Sequence, residues 1–264
     1  MPGFIDQTGR KISLTANPSK IVSIVPSLTE LLSDLGLNNE VVGITKYCVH
    51  PSHWSSKKTK VGGTKNLDIN CIFDLCPDLI IASKEENVKV QVDELASSFP
   101  VWVSDIHNVA EAIHTIEEIG ELTGRVEESK KLITTIKDQF SYLANRNKNP
   151  KVVYMIWRKP YMTVGGDTFI HSMLEAAGFE NVYKNERRYP AITIHAIADQ
   201  KPDYIFLSSE PFPFNEKHVA EIKRELPGVE VLLVDGEMFS WYGSRMQYAP
   251  SYFLNLWTNG LHGK

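Results

Sequence analysis

Residues 126–147, VEESKKLITTIKDQFSYLANRN, decide the fold that this sequence predicts. The apolar side chains of this segment recur at steps of seven, three, four and three residues, which places them on one face of an α-helix. They are Val126, Ile133, Ile136, Phe140 and Leu143. The segment contains no Gly or Pro, and at about 1.5 Å per residue it predicts a rigid helix roughly 33 Å long.

The chain on either side of this helix shows the same alternation of short apolar runs and helical patterns. Strands are predicted at 20–25, 41–44, 79–82, 101–103, 152–156, 204–207 and 229–234, with a hairpin at 4–14. Helices are predicted at 28–35, 67–75, 88–98, 109–122, 168–177, 194–199, 216–226 and 250–257. Such alternation is typical of an α/β fold with mostly parallel sheets covered on both faces.

We therefore predict two α/β lobes, residues 1–124 and 150–264, joined by a connecting helix over 125–149. The alternative is a single domain that carries one ordinary long surface helix. Two pairs of similar segments favour the two-lobe interpretation: TELLSDLGL (29–37) with HSMLEAAGF (171–179), and CPDLIIA (76–82) with KPDYIFL (201–207).

Local patterns add two narrower predictions. Ser27 and Glu30 have the spacing of a capping box at the start of the first helix, and Gly36 would end that helix. Gly165 and Gly166 follow Tyr161 in a run that predicts a hairpin turn, although glycines before a helix could also bind an anion.

Composition narrows the class of protein. The 264 residues carry a formal net charge of −4 without a basic block, which argues against nucleic acid as a partner. No apolar run reaches the roughly 18 residues of a membrane span. The first residues lack a signal-peptide pattern, which predicts either a cytoplasmic protein or a mature exported one, and three cysteines give no disulfide framework.

Ligands of open parallel sheets bind beyond the carboxyl ends of the strands, which selects a specific set of segments. They are Pro26-Ser27, Lys46-Tyr47-Cys48, Thr64-Lys65-Asn66, Ser83-Lys84, Ser104-Asp105, Trp157-Arg158-Lys159, Arg188-Tyr189, Ser208-Ser209-Glu210 and the run 235–245.

Aromatic side chains dominate several of these segments. In the run 235–245, Met238, Phe239, Trp241 and Tyr242 show no helix or strand periodicity, so they are not all expected to point into a core. Together with Tyr47, Trp157 and Tyr189 they suggest flat apolar walls for a large, rigid ligand, and Arg245 offers planar donors. The alternative is that these rings simply pack among the loops.

No enzyme signature matches. The sequence has no G-x-G-x-x-G, no Walker A sequence and no G-x-S-x-G. Cys48, His50 and His53 bring a thiol and two imidazoles close together, but no second ligand cluster completes a zinc site. A buried thiol beside polar histidines is the other interpretation of this segment.

Four segments resemble the helical-backbone substrate-binding proteins of ABC importers, a family that carries cobalamin, haem and iron–siderophore complexes. They are KIVSIVPSLTELLSDLGLNNEVVGITKYCVHP (20–51), VGGTKNLDIN (61–70), PDLIIAS (77–83) and TVGGDTFIHSMLEAAGFENVYK (163–184). The resemblance covers nearly the whole chain and is closest to cobalamin-binding members. It implies two Rossmann-like lobes joined by one long helix, with the ligand held between them.

The resemblance also implies ligand residues. Tyr47 matches the tyrosine that faces the corrin after the second strand, and Tyr189 matches an aromatic residue before a proline. The aromatic run of Phe239, Trp241 and Tyr242, with Arg245 just beyond it, matches the aromatic loop near the C-terminus. Cobalamin binders have two tryptophans in the first lobe. One of these positions corresponds here to Thr64 or Lys65, and the other to Ser83. Trp157 and Trp241 would compensate for the two missing indole rings.

Family members dock on their permease through one glutamate on each lobe. The matching positions here are Asp68, which is acidic, and His195, which is not. The sequence thus predicts a non-catalytic, monomeric corrinoid-binding protein without a built-in cofactor, a possible partner of an ABC permease, with the cell envelope or the cytoplasm as its location. The alternatives are a haem or iron(III)-siderophore binder, or a metal-dependent protein that uses Cys48, His50 and His53.

Overall fold

A computed structural model describes residues 3–143 and 149–260. The chain forms two compact units, which are described separately. The N-terminal unit comprises residues 1–106, 112–134 and 242–244, and the C-terminal unit comprises 107–111, 135–241 and 245–264. The predicted division at residues 124 and 150 stays a prediction.

The first half of the chain contains nine strands and six helices within the described residues. The strands are β1 Gly3–Ile5, β2 Lys11–Ser13, β3 Ile21–Ser23, β4 Val41–Ile44, β5 Thr59–Lys60, β6 Gly62–Gly63, β7 Asn66–Leu67, β8 Leu79–Ser83 and β9 Val101–Ser104. The helices are α1 Pro26–Asp34, α2 Ser52–Lys57, α3 Ile69–Leu75, α4 Lys89–Ala96, α5 Val109–Thr123 and α6 Val126–Ser141. The predicted hairpin at 4–14 is confirmed as the antiparallel pair β1–β2.

The N-terminal unit is built on a parallel sheet with the strand order β5-β4-β3-β8-β9. Every residue of β3, β8 and β9 is buried, as expected when helices cover both faces of a parallel sheet. Val22, Ile80 and Val103 lie in the apolar core of this unit, against Ile72 of α3 and Leu95 of α4.

The second half of the chain contains six strands and five helices within the described residues. The strands are β10 Lys151–Met155, β11 Tyr161–Met162, β12 Glu180–Asn181, β13 Ala191–Ile192, β14 Tyr204–Ser208 and β15 Glu230–Val234. The helices are α7 Phe169–Ala176, α8 Ile194–Gln200, α9 Glu216–Glu225, α10 Glu237–Ser240 and α11 Ala249–Asn255, with a 3₁₀ turn at Ser244–Gln247 and a π turn at Leu256–Gly260.

The C-terminal unit has its own parallel sheet, with the strand order β12-β10-β14-β15. Val153, Ile205 and Val231 lie in its apolar core, against Ile197 of α8 and Ile222 of α9. Both units thus have the predicted α/β architecture with parallel strands. No helix within residues 3–143 and 149–260 is long and apolar enough to cross a bilayer.

The helix predicted over 126–147 is shorter than expected. α6 ends at Ser141, and the predicted continuation over 144–147 lies outside the described residues. Ile136 and Leu143 are buried, which agrees with the predicted apolar face, whereas Val126 at the helix start is exposed.

The predicted similarity of 76–82 and 201–207 corresponds to matching structure in the two units. α3 and α8 both have seven residues and end in a left-handed residue, Cys76 (φ 46°) and Lys201 (φ 47°). A Pro-Asp pair follows each helix, and the Asp78 and Asp203 carboxylates accept main-chain N–H groups of the adjacent strand region. Two copies of one supersecondary plan account for these agreements.

Two local predictions are wrong and one helix was missed, each for an identifiable reason. α1 begins at Pro26, whose fixed φ suits the first helical position, so Val25 is the N-cap and no Ser27 capping box forms. Helix α2 was not predicted, because its six residues show no apolar period. The Gly165-Gly166 pair does not form a hairpin turn. Instead, its amides bond the carbonyls of Arg188 and Glu186, 2.7 and 3.0 Å away.

Gly166 is required because two main-chain segments approach each other closely at this position. A Cβ atom there would lie 2.0 Å from the Lys184 carbonyl oxygen, which is backbone and cannot rotate away. We expect Gly166→Ala to lower the free energy of unfolding by about 3 kcal/mol. Urea denaturation measures the change. Gly3→Ala is the control, because nothing lies within 4 Å of its Cβ position, and an equal loss in both variants would contradict this packing argument.

Candidate functional site

Tyr47 lies just beyond the carboxyl end of β4 in the N-terminal unit. Its side chain is 53% exposed, and its ring lies against the β6–β7 hairpin, where a Cβ on Gly63 would be 3.0 Å from the ring. Lys46 Nζ lies 5.1 Å from the ring centroid. The glycine lets the ring rest on the hairpin backbone, so Tyr47 presents aromatic surface at the strand ends, as the sequence predicts.

Tyr242 is a buried residue of the N-terminal unit rather than an exposed ligand wall. Its hydroxyl donates to Ser83 Oγ over 3.1 Å at the end of β8, and Glu86 Oε1 lies 3.4 Å away. Burial, followed by the nearby Glu86 charge, raises the pKa of Tyr242 well above its usual range. The phenol therefore stays protonated and serves as an internal hydrogen-bond donor, which corrects its predicted ligand contact.

The metal alternative at Cys48, His50 and His53 does not match the observed geometry. Cys48 is buried, with its sulfur 3.1 Å from Thr29 Oγ1 and 3.2 Å from Thr45 Oγ1. Burial raises the pKa of this thiol, so the thiolate that binds metals is disfavoured. Within the described residues, no group of three His, Cys, Asp or Glu side chains is placed to hold a metal ion.

Trp157 lies just beyond the carboxyl end of β10 in the C-terminal unit. Its side chain is 41% exposed, and its ring meets Phe212 edge-on at a centroid distance of 5.7 Å. The next residue, Arg158, pairs with both carboxylate oxygens of Glu221 at 2.7 and 2.8 Å. One guanidinium nitrogen, Nη2, donates to both oxygens, and this ion pair anchors the segment that carries Trp157 while the indole remains accessible.

Tyr189, also in the C-terminal unit, is partly buried beside a cation. The guanidinium carbon of Arg188 lies 5.5 Å from the centre of its ring. Arg188 has a positive φ of 57°, which places it in the left-handed region. Tyr189 therefore sits in an irregular loop, as the sequence predicts.

Phe239 is a core residue, and its predicted ligand contact is wrong. The run 235–245 contains the short helix α10, which directs Phe239 inward. The side chain is fully buried and packs on Tyr154, Phe206 and Phe253 at centroid distances of 5.2, 6.2 and 4.7 Å. Four helical residues are too few to produce a recognisable period in the sequence.

Trp241 and Arg245 belong to a hydrogen-bonded group that we call the Trp241 cluster, comprising Glu210, Glu237, Ser240, Trp241 and Arg245. Glu210 Oε1 accepts the Ser240 hydroxyl over 2.6 Å and the Trp241 indole N–H over 2.9 Å. The Arg245 guanidinium lies 5.0 Å over the Trp241 ring and pairs with Glu237 over 2.9 Å. Both Trp241 and Arg245 are buried, so the stacked pair presents little surface.

The sequence does not predict the role of Glu210 in this cluster. Glu210 follows β14 by two residues and so belongs to a predicted strand-end segment, but nothing in the sequence indicates its hydrogen-bond partners. Burial raises the pKa of its carboxyl group, while the bond from Ser240 opposes that rise. The cluster holds two carboxylates and one guanidinium, and Asp235 adds a further acidic side chain nearby.

An open depression of about 480 Å³ lies at the carboxyl ends of β14 and β15 in the C-terminal unit. Leu207, Phe214 and Leu233 form apolar walls, and Asp235 and Glu237 add carboxylates. The depression adjoins the Trp241 cluster through Glu237. Apolar surface beside fixed polar groups is the usual composition of a small-molecule site.

Asp68 and His195 both lie on exposed helix starts, but at different helical positions. Asp68 is the N-cap of α3, and its Oδ1 accepts the Cys71 N–H over 3.0 Å. The N-cap of α8 is Thr193, and His195 is the second residue of that helix. The structural counterpart of Asp68 in the C-terminal unit is therefore Thr193, and that of His195 in the N-terminal unit is Asn70.

Comparisons with known proteins agree with this architecture. Residues 21–230 match the model of the family described as periplasmic binding protein. An uncharacterized ABC transporter substrate-binding lipoprotein of Bacillus subtilis, YvrC, is 27% identical over 76% of this chain and 67% of its own length. The vitamin B12-binding protein of Photorhabdus laumondii is 25% identical over 74% of this chain and 73% of its own.

Solved structures share the fold. The periplasmic vitamin B12 binding protein BtuF of Vibrio cholerae superposes with a TM-score of 0.77 at 21% identity, over 92% of this chain and 99% of that chain. Solved structures of similar fold also include haem-binding proteins. The family match spans most of the sequence, and the paired parallel-sheet units agree with it. The chain belongs to the periplasmic binding protein family.

Proposed function

We propose that this chain is the substrate-binding component of an ABC importer and that its ligand is a corrinoid such as cobalamin. Binding is non-catalytic, and the cobalt arrives with the ligand, so the protein contributes no cofactor. The proposed location is the periplasm or the cell envelope. Family membership and the lipoprotein and vitamin B12-binding relatives support each of these statements.

The observation that carries the corrinoid proposal is the internal pairing of cations near the strand ends. Arg245 is paired with Glu237, Arg158 with Glu221, and Lys84 with Asp105 at 2.5 Å. At these three positions an anionic ligand would have to displace the carboxylate that already pairs with the cation. A corrinoid presents uncharged amide side chains, whereas haem carries carboxylates and siderophores are often anionic.

Each unit carries an accessible aromatic ring that supports the proposed ligand contact. Tyr47 in the N-terminal unit and Trp157 in the C-terminal unit each follow a strand of the central sheet and remain exposed. Flat rings bury apolar ligand surface with little loss of side-chain freedom, because both are already held by neighbouring groups. Trp241 and Arg245 contribute an edge only, and Tyr189 is a further candidate contact.

We also propose that the chain docks on a permease through exposed groups at the starts of α3 and α8. Asp68 supplies a negative charge there, suited to a basic partner side chain, and His195 is the candidate from the C-terminal unit. Because Asp68 and His195 occupy different helical positions, the proposed partner meets chemically different surfaces on the two units.

The function is tested by calorimetric titration of the purified protein with aquocobalamin, haem and a ferric siderophore in parallel. Saturable one-to-one binding of aquocobalamin, with at least tenfold weaker binding of the two other ligands, is expected. Preferential binding of haem or of the siderophore would replace the corrinoid proposal with that alternative while leaving the family unchanged.

Removal of the exposed rings should weaken binding without unfolding the protein. Tyr47→Ala and Trp157→Ala are each expected to raise the Kd for aquocobalamin about tenfold, or about 1.4 kcal/mol. Their melting temperatures should stay within about 2 °C of the parent, because both side chains are largely outside the core. Tyr142→Ala is the matched control, since Tyr142 is 66% exposed and belongs to no proposed site. Equal affinities for all three variants would refute the assignment of these rings.

Ligand charge selection should depend on Glu237. Glu237→Gln removes the negative charge that compensates the Arg245 guanidinium, and the uncompensated positive charge favours an anionic ligand group. We expect the affinity for haem, relative to aquocobalamin, to rise about tenfold. Parallel titrations of the parent and of Glu225→Gln, an exposed substitution on α9, provide the comparison. An unchanged ratio would show that the Arg245–Glu237 pair does not select ligand charge.

A further inference from the structure

Glu210 fixes the polar edge of Trp241. Its Oε1 accepts the indole N–H over 2.9 Å, and the same oxygen accepts the Ser240 hydroxyl over 2.6 Å. An indole has a single hydrogen-bond donor, so this contact uses the whole donor capacity of the Trp241 ring. One carboxylate oxygen therefore determines the orientation of two consecutive residues at the end of α10.

Glu210 is itself held by main-chain and side-chain contacts. The Ser208 hydroxyl donates to the Glu210 carbonyl oxygen over 2.6 Å, and Ser208 accepts the Tyr154 hydroxyl over 3.0 Å. Ser208 ends strand β14, so the main chain of Glu210 is anchored to the sheet. The Glu210 side chain extends from this anchored main chain to Ser240 and Trp241.

The face of the indole is set by Arg245. The guanidinium lies 5.0 Å over the ring and is itself fixed by Glu237 at 2.9 Å. The Trp241 ring is thus constrained at its edge by one carboxylate and on its face by a cation that a second carboxylate holds. Both Trp241 and Arg245 are buried, so a ligand meets an edge whose direction these contacts determine.

We propose that Glu210 is a positioning residue for ligand binding: its carboxylate oxygen orients Trp241, and through Trp241 the stacked Arg245, toward the ligand. The proposal deepens the function proposed above and rests on it. Glu210 does not contact the ligand itself. It acts on affinity through the orientation of the indole, which is the role of a supporting residue in a preorganised site.

Two substitutions separate positioning from bulk stability. Both donors use the same Glu210 oxygen, and Gln keeps one carbonyl oxygen there, so Glu210→Gln should preserve the contacts at pH 7. Its Kd for aquocobalamin should lie within about twofold of the parent. Glu210→Ala removes the acceptor and is expected to raise that Kd about tenfold and to shift the Trp241 fluorescence, isolated by subtracting the spectrum of Trp241→Phe.

The pH dependence of the free energy of unfolding reports specifically on the Glu210 carboxyl group. Burial raises the Glu210 pKa above its ordinary value of 4.5. At a pH between 4.5 and the raised pKa, Glu210 therefore keeps its proton in the native state but has lost it in the unfolded chain. The free energy of unfolding should therefore contain a component that falls as pH rises from about 4.5, and Glu210→Gln should lack it. The charged groups facing Glu210 are Glu237, its partner Arg245, and Asp235, and all of them are kept in both proteins.

Urea denaturation of the parent, Glu210→Gln and the control Glu225→Gln between pH 4.5 and 7.5 measures this component. Unchanged Trp241 fluorescence and affinity in Glu210→Ala, or loss of both in Glu210→Gln at pH 7, would overturn the proposal. If Glu210→Ala does not fold, Glu210→Met, which keeps a side chain of similar length without the oxygen acceptor, takes its place in the affinity and fluorescence measurements. If the parent binds no corrinoid, the proposed function fails, while the Trp241 signal still reports whether Glu210 orients the ring.

Discussion

The architecture of both units depends on one recurring interaction, a tyrosine hydroxyl bonded to a serine at the carboxyl end of a central strand. Ser83 ends β8 and accepts from Tyr242, and Ser208 ends β14 and accepts from Tyr154. Strand ends of a sheet buried on both faces carry polar groups that must find partners inside the protein. The same requirement is met twice, once by a loop residue and once by a residue of β10 itself.

This constraint sorts the aromatic side chains into two kinds. Rings that satisfy or pack against the strand ends, such as Tyr242, Tyr154 and Phe239, are structural and buried. Tyr47 and Trp157 do not bond to a strand-end serine, and both remain accessible. The Tyr47 ring lies against Gly63 of the β6–β7 hairpin, and Trp157 lies in a loop that the Arg158–Glu221 pair holds in place. The number of aromatic residues in the strand-end segments is therefore larger than the number of rings that are accessible at the surface.

Contacts within each unit also determine which charges near the strand ends are neutralised. Three cations near the strand ends, Lys84, Arg158 and Arg245, pair with carboxylates of their own unit, and this pairing reduces the positive charge that they present to an anion. The solved structures similar to this chain include vitamin B12 and haem binders at low identity, which means that one fold serves ligands of different charge. The fold alone therefore does not identify the ligand of this chain.

The sequence by itself determined the α/β class, the strand and helix order, and the repeated plan, because apolar period, Gly at helix ends and Pro-Asp pairs are local signals. It predicted the apolar face of α6 and the exposure of Tyr47 and Trp157 at strand ends. Only the tertiary structure decided that Phe239 and Tyr242 are buried, that Gly166 meets the Lys184 carbonyl, and that Glu210 holds Trp241. These facts depend on contacts between residues distant in sequence or on a helix of only four residues. Neither produces a periodic pattern of apolar residues that can be recognised in a single sequence.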